Sequence, residues 1–101
     1  AEPIAVEFVN TSGTAQNFDD KMKWLPRTQS LVYEQELKHH LNHVKYVNLD
    51  SHGYNIVDVS PERVQVAWWH VDTVLAPSRQ ERCDAKIHVK PGSSRLILSP
   101  A

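Results

Sequence analysis

Six histidines in a chain of 101 residues are the first chemistry on offer. His39 and His43 stand four apart, the separation that puts two imidazoles on one helical face, and they form the best local candidate for a metal-ligand pair. His39 is followed by His40 rather than glutamate, so the His-Glu-x-x-His arrangement with its general base is missing. Two imidazoles leave a metal under-coordinated, and the competing reading is a basic helix end favoured by the dipole. Asp50, Ser51 and His52 place the three residue types of nucleophilic catalysis side by side. Triad side chains must converge, whereas neighbours on a short turn project apart, so turn chemistry with Gly53 accounts better for them. His70 and Asp72 sit two apart in an extended run behind Trp68 and Trp69, where one face would carry both and an Asp-oriented imidazole is feasible. A histidine buried beside an aromatic cluster and satisfied by one hydrogen bond is the bland alternative.

Cys83 is the single cysteine, so neither an internal disulfide nor a thiolate zinc cluster can be built from the chain alone. Arg82 and Asp84 beside it pull a thiol in opposite directions, and nothing marks it as a nucleophile. With three glycines, the chain contains no glycine-rich phosphate loop or dinucleotide fingerprint. No complete active site is legible: the catalytic and cofactor-binding sets are empty, and the metal set holds only His39 and His43 as candidates.

The elements that would position these residues follow from periodicity. Ile4 to Val9 reads as a strand ending at a turn through Gly13, and Gly13 to Pro26 as a long irregular loop with at most one short turn. Thr28 to Leu41 lacks Gly and Pro and spaces Tyr33, Leu37 and Leu41 helically, with Thr28 or Ser30 to cap it and Lys38, His39 and His40 at its C-terminal end. Val44 to Leu49 and Tyr54 to Val59 read as a hairpin around Asp50 to Gly53. Ser60-Pro61-Glu62 turns the chain into a third strand, Arg63 to Val74, apolar on both faces. Ala76 to Glu81 interrupts, Ala85 to Lys90 alternates, Pro91-Gly92 turns, and Leu96 to Leu98 closes a second hairpin. The expected class is α+β: one helix packed on a mainly antiparallel sheet of about six strands, all in one segment, residues 1–101.

A hydrophobic content of 41% permits a modest core. A net charge of -1 points to neither nucleic acid nor an anionic membrane as partner. No apolar run approaches the ~20 residues that span a bilayer.

Several of these stretches, taken in order, resemble the carboxy-terminal part of the alkaline phosphatase D family of metal-dependent phosphatases and phosphodiesterases. They are Ala5-Val6-Glu7-Phe8-Val9 with Thr11-Ser12, His43-Val44-Lys45-Tyr46-Val47, Leu49-Asp50, Gly53-Tyr54, Pro61-Glu62-Arg63-Val64-Gln65, and Trp69 with Asp72-Thr73-Val74. Asn42 replaces the proline that often precedes the histidine, and Ser51-His52 stand where basic residues are common. The resemblance implies a parent with an α/β metallophosphoesterase-like sandwich, iron and calcium as cofactors, and export to the periplasm or outside the cell. It implies that the metal motifs lie upstream, so no catalytic residue is carried onto this chain. It also implies hydrolysis of phosphate esters by a metal-bound hydroxide, with this segment supplying scaffold and the upstream catalytic part of the same polypeptide as its partner. Two alternatives stand beside it: an autonomous interaction module anchored by Trp24, Trp68 and Trp69, and a small metal-binding domain using His39 and His43.

Overall fold

A computed structural model describes residues 4–73, 75 and 79–99. The class is α+β, with two helices and a four-stranded antiparallel sheet. The chain divides into two compact units, one made of Ala1–Asn10 with Gly53–Ala101 and the other of Thr11–His52.

In the first unit the strands form a simple meander in the order β1 (Gly53–Val59), β2 (Val64–Val71), β3 (Glu81–Val89) and β4 (Ile97–Ser99). Ser60 to Arg63 makes the β1–β2 turn: the Ser60 N–H donates to the Arg63 carbonyl at 2.9 Å, and the Ser60 hydroxyl receives the Arg63 N–H. Pro61 suits this turn because its ring presets φ at the second position. The β3–β4 turn uses Gly92 at φ 79°, a conformation that glycine enters without steric cost. Val66, Trp68, Ala85 and Ile87 lie on one face and bury there, with His70 among them. Phe8 meets Trp68 edge-on, with ring centroids 5.8 Å apart.

Among the described residues two expected strands are not there, and the sheet has four strands rather than about six. Among the described residues Ile4 to Val9 forms no strand and pairs with none of the four. This segment and Asn10 after it contact the sheet instead: the Trp68 indole N–H donates to the Val9 carbonyl at 3.1 Å, and the Asn10 amide donates to the Gly53 carbonyl at 2.7 Å. Val44 to Leu49 is irregular because its backbone groups are spent elsewhere. The Leu49 N–H donates to Glu34 at 2.9 Å and its carbonyl accepts from Phe18, while the Asn48 side chain accepts from the backbone N–H groups of Asp50 and Ser51. Side-chain acceptors that hold local backbone donors compete with a ladder in this way. The expected hairpin of 44–49 with 54–59 is therefore replaced by β1 pairing with β2 alone. The third strand stops at Val71, and Val74, its expected end, lies outside the described residues, as do residues 76–78 of the interruption that follows.

The second unit holds α1 (Phe18–Met22) and α2 (Gln29–His40). A second helix corrects the expectation of one. α1 forms within the segment expected to be irregular because Asn17 caps it: its N–H donates to the Asp20 carboxylate at 3.1 Å, and Lys23 closes the other end in a left-handed conformation at φ 59°. α2 falls where its lack of Gly and Pro placed it. Phe18, Trp24 and Tyr33 pack as a ring cluster, with Trp24 stacked on Tyr33 at 5.6 Å and Phe18 edge-on to both. α2 itself buries Ser30 and Glu34 while Leu31, Val32 and Leu37 remain exposed.

Candidate functional site

His39 and His43 are not brought onto one helical face. α2 ends at His40, and Leu41 turns away at φ -118°, ψ 88°, so His43 lies beyond the helix. The His39 ring meets His40 edge-on, and the His40 Nε2 lies 3.1 Å from Glu36, all in exposed positions. Among the described residues no group of three or more His, Cys, Asp or Glu side chains could hold a metal ion.

Asp50, Ser51 and His52 diverge, as neighbours on a turn do. The Asp50 carboxylate accepts from the Arg27 backbone N–H at 3.0 Å, and the Ser51 hydroxyl accepts from Asn48. Arg27 reaches this position in a left-handed conformation, φ 57°, and its guanidinium pairs with Glu34 as well as Asp50. Buried carboxylates are tolerated where such charge-assisted bonds satisfy them. Glu34 raises the affinity of that guanidinium for its proton, partly offset by burial. One Asp50 oxygen, Oδ1, is left without a hydrogen-bond partner.

His52 departs to a different serine and aspartate. Its Nε2 lies 2.8 Å from Asp20 Oδ2, and its Nδ1 lies 3.3 Å from both Ser12 Oγ and the Asn17 amide nitrogen. Asp20 is 32 residues away and Ser12 is 40. No spacing rule connects such positions, so only the folded unit reveals the cluster. Asp20's carboxyl is held below its ordinary value, first by the Asn17 backbone N–H and then by His52. Asp19 beside it is pushed up by burial and by the charge of Asp50. The Ser12 hydroxyl does not point a free proton at the imidazole: it also contacts the Ala15 carbonyl at 2.6 Å and the Asn17 side-chain oxygen at 3.0 Å.

In the first unit His70 is oriented by an aspartate, but by Asp84 rather than the expected Asp72. Its Nδ1 lies 2.6 Å from Asp84 Oδ2, and Asp84's other oxygen accepts from Arg82 at 3.0 Å. The register shifts between Trp68 and Trp69, so Asp84 is the extra residue of a bulge between Ala85 and Cys83. Bulges re-aim a side chain, and here the one on β3 delivers the carboxylate to a neighbouring strand. His70 is 2% exposed, as expected of a satisfied core histidine. Trp68 is likewise core, Trp24 belongs to the ring cluster of the second unit, and Trp69 is half-buried. Cys83 is half-buried with its Sγ 3.7 Å from the Ala85 carbonyl.

No family model, curated protein or solved structure matches the chain.

Proposed function

We propose that this chain is the structural carboxy-terminal segment of a secreted metal-dependent phosphatase or phosphodiesterase of the alkaline phosphatase D type. The activity is carried by the ordered series of motifs quoted above. The physical observation that supports a segment needing a partner is the exposure of its large apolar side chains. On the sheet, Tyr54, Ile56, Val57 and Val59 of β1 and Leu98 of β4 are exposed, and α2 leaves Leu31 and Val32 outward while burying Ser30 and Glu34. Large exposed apolar side chains on an element mark a place where something else can pack. In this reading the upstream catalytic part of the same polypeptide covers those faces, and helix and sheet take their places in its α/β sandwich.

The iron and calcium of that parent find no ligand set here, because the described residues contain no cluster of three suitable side chains. No step of the hydrolysis is assigned to this chain, whose task is to complete the scaffold and wall of a cleft for a phosphate ester. The periplasm or the extracellular space is its place. The test is the coding sequence immediately upstream of Ala1 together with activity. A Gly-Asp-x-His motif there, with phosphodiester hydrolysis by the longer polypeptide and none by the 101 residues, is the expected result. A start codon or signal peptide directly before Ala1, or metal-dependent hydrolysis by the 101 residues alone, overturns it.

A further inference from the structure

We propose that two copies of this chain pair edge to edge through β1, antiparallel about a two-fold axis at Ile56, so that their sheets become one. The inference does not rest on the phosphatase reading. That reading concerns the faces of the sheet, whereas this one concerns the backbone along one edge, in the sheet's plane.

The strands run in the order β1-β2-β3-β4, so β1 and β4 are the edges. β4 is three residues long, and a short edge offers little to a partner. β1 is seven residues long and pairs with β2 without a register shift. The Gly53 carbonyl accepts from the Asn10 amide, and from Tyr54 to Val59 the backbone bonds to no described residue outside β2. The usual defences of an edge are missing: β1 has no proline, lysine or bulge, and Tyr54, Ile56, Val57 and Val59 are exposed on it. Main-chain donors and acceptors left open at strand spacing are matched by another strand.

The pattern of β1 about its middle selects a second copy as that strand. Ile56 is the central residue of the seven, and a two-fold axis there pairs the whole strand with itself. Ile56 then meets its own counterpart, Tyr54 meets Asp58, and Asn55 meets Val57. The register with β2 puts Tyr54, Ile56 and Asp58 on one face and Asn55, Val57 and Val59 on the other, so apolar side chains continue across the joint on both. Asp58 is the strand's single charge. Its two copies stand about 13 Å apart along the ladder, beyond the ~8 Å screening length of physiological salt. Moving the axis towards Val59 brings the aspartates together, and moving it towards Gly53 leaves Asp58 and Val59 outside the ladder. The contact is isologous and closes at two copies, with only the short β4 edges left open.

The experiment uses the 101 residues with Cys83→Ser, which removes the single thiol, and compares Ile56→Cys with Val59→Cys under mild oxidation. At the axis the two Cα atoms approach to about 4.5–5.5 Å, within disulfide range, whereas two Val59 positions stand about 20 Å apart. Expected is a covalent dimer that forms at least about tenfold faster from Ile56→Cys than from Val59→Cys. Sedimentation of the unmodified chain is expected to show a monomer–dimer equilibrium, weakened about fivefold by Ile56→Lys, which sets two ammonium groups opposite each other. Equal rates of linkage, a chain monomeric up to about 1 mM, large oligomers in place of a dimer, or a dimer indifferent to Ile56→Lys overturns the proposal. If the variants do not fold, amide exchange in the unmodified chain decides. Protection along Tyr54–Val59 is expected to rise with concentration, and association without that rise overturns the pairing.

Discussion

Asp19 and Asp20 are neighbours whose carboxyls are driven in opposite directions, and the difference makes a stability signature. Asp20's folded value is depressed, so its contribution is present above the unfolded value near 4 and is lost as pH falls through the depressed value. Asp19's is raised by burial and Asp50, so the folded state holds that proton more tightly than the unfolded chain, and the cost of ionising it grows as pH rises above the ordinary value. Asp19→Asn removes the charge facing Asp50 while keeping an oxygen for the Asp20 N–H. It is expected to stabilise the fold at neutral pH by about 0.5–1 kcal/mol and to have no benefit at strongly acidic pH, read by denaturant titration at both. Asp20→Asn is expected to cost about 1 kcal/mol at neutral pH through the α1 cap and the His52 contact; a variant as stable as the parent would show that neither matters. At the other unit, Asp84→Ala strips the buried His70 Nδ1 of its carboxylate partner among the described residues. The expected loss is about 2 kcal/mol, measured by thermal or chemical unfolding.

At the scale of elements, backbone proximity sets the sharpest limit. A Cβ placed on Gly53 would lie 1.9 Å from the Trp69 carbonyl oxygen, which is backbone and cannot move aside without breaking the β1–β2 register. Gly53→Ala is expected to destabilise by about 1–3 kcal/mol, and an unchanged unfolding midpoint would contradict the pairing at this end of β1. α2 is the opposite case. Its Val32 is 59% exposed, so Val32→Gln is expected to stay within about 0.5 kcal/mol of the parent in the 101 residues alone. In the longer polypeptide the same change should cost more, since there the position is proposed to be covered. Equal effects in both would argue against a partner at that helix. β1 and β2 were readable as strands because β-branched and aromatic residues dominate them. Val44 to Leu49 carries the same composition and is no strand: at its end the Leu49 N–H goes to Glu34, a residue 15 positions away, and the Asn48 side chain folds the backbone of Asp50 and Ser51 back on itself.

For the molecule as a whole, the described apolar core is short: Val66, Ala67, Trp68, Ala85 and Ile87 are its buried hydrophobic members. Against that stand exposed Leu, Ile, Val and Tyr side chains on β1, α2 and β4. The 101 residues by themselves are expected to bind a hydrophobic dye and to self-associate with rising concentration, both suppressed in the longer polypeptide. A monomeric chain with one cooperative, concentration-independent transition would favour an autonomous module instead. By itself the sequence determined the α+β class, the position of α2, and the Ser60 and Pro91 turns. These depend on periodicity and turn chemistry within a few residues. The tertiary structure alone decided that Asp84 rather than Asp72 orients His70, and that His52 meets Ser12 and Asp20 rather than its own neighbours. A bulge and the folding of a loop onto a turn made those choices, and neither leaves a local pattern, because the groups they join are matched by geometry in space rather than by spacing along the chain.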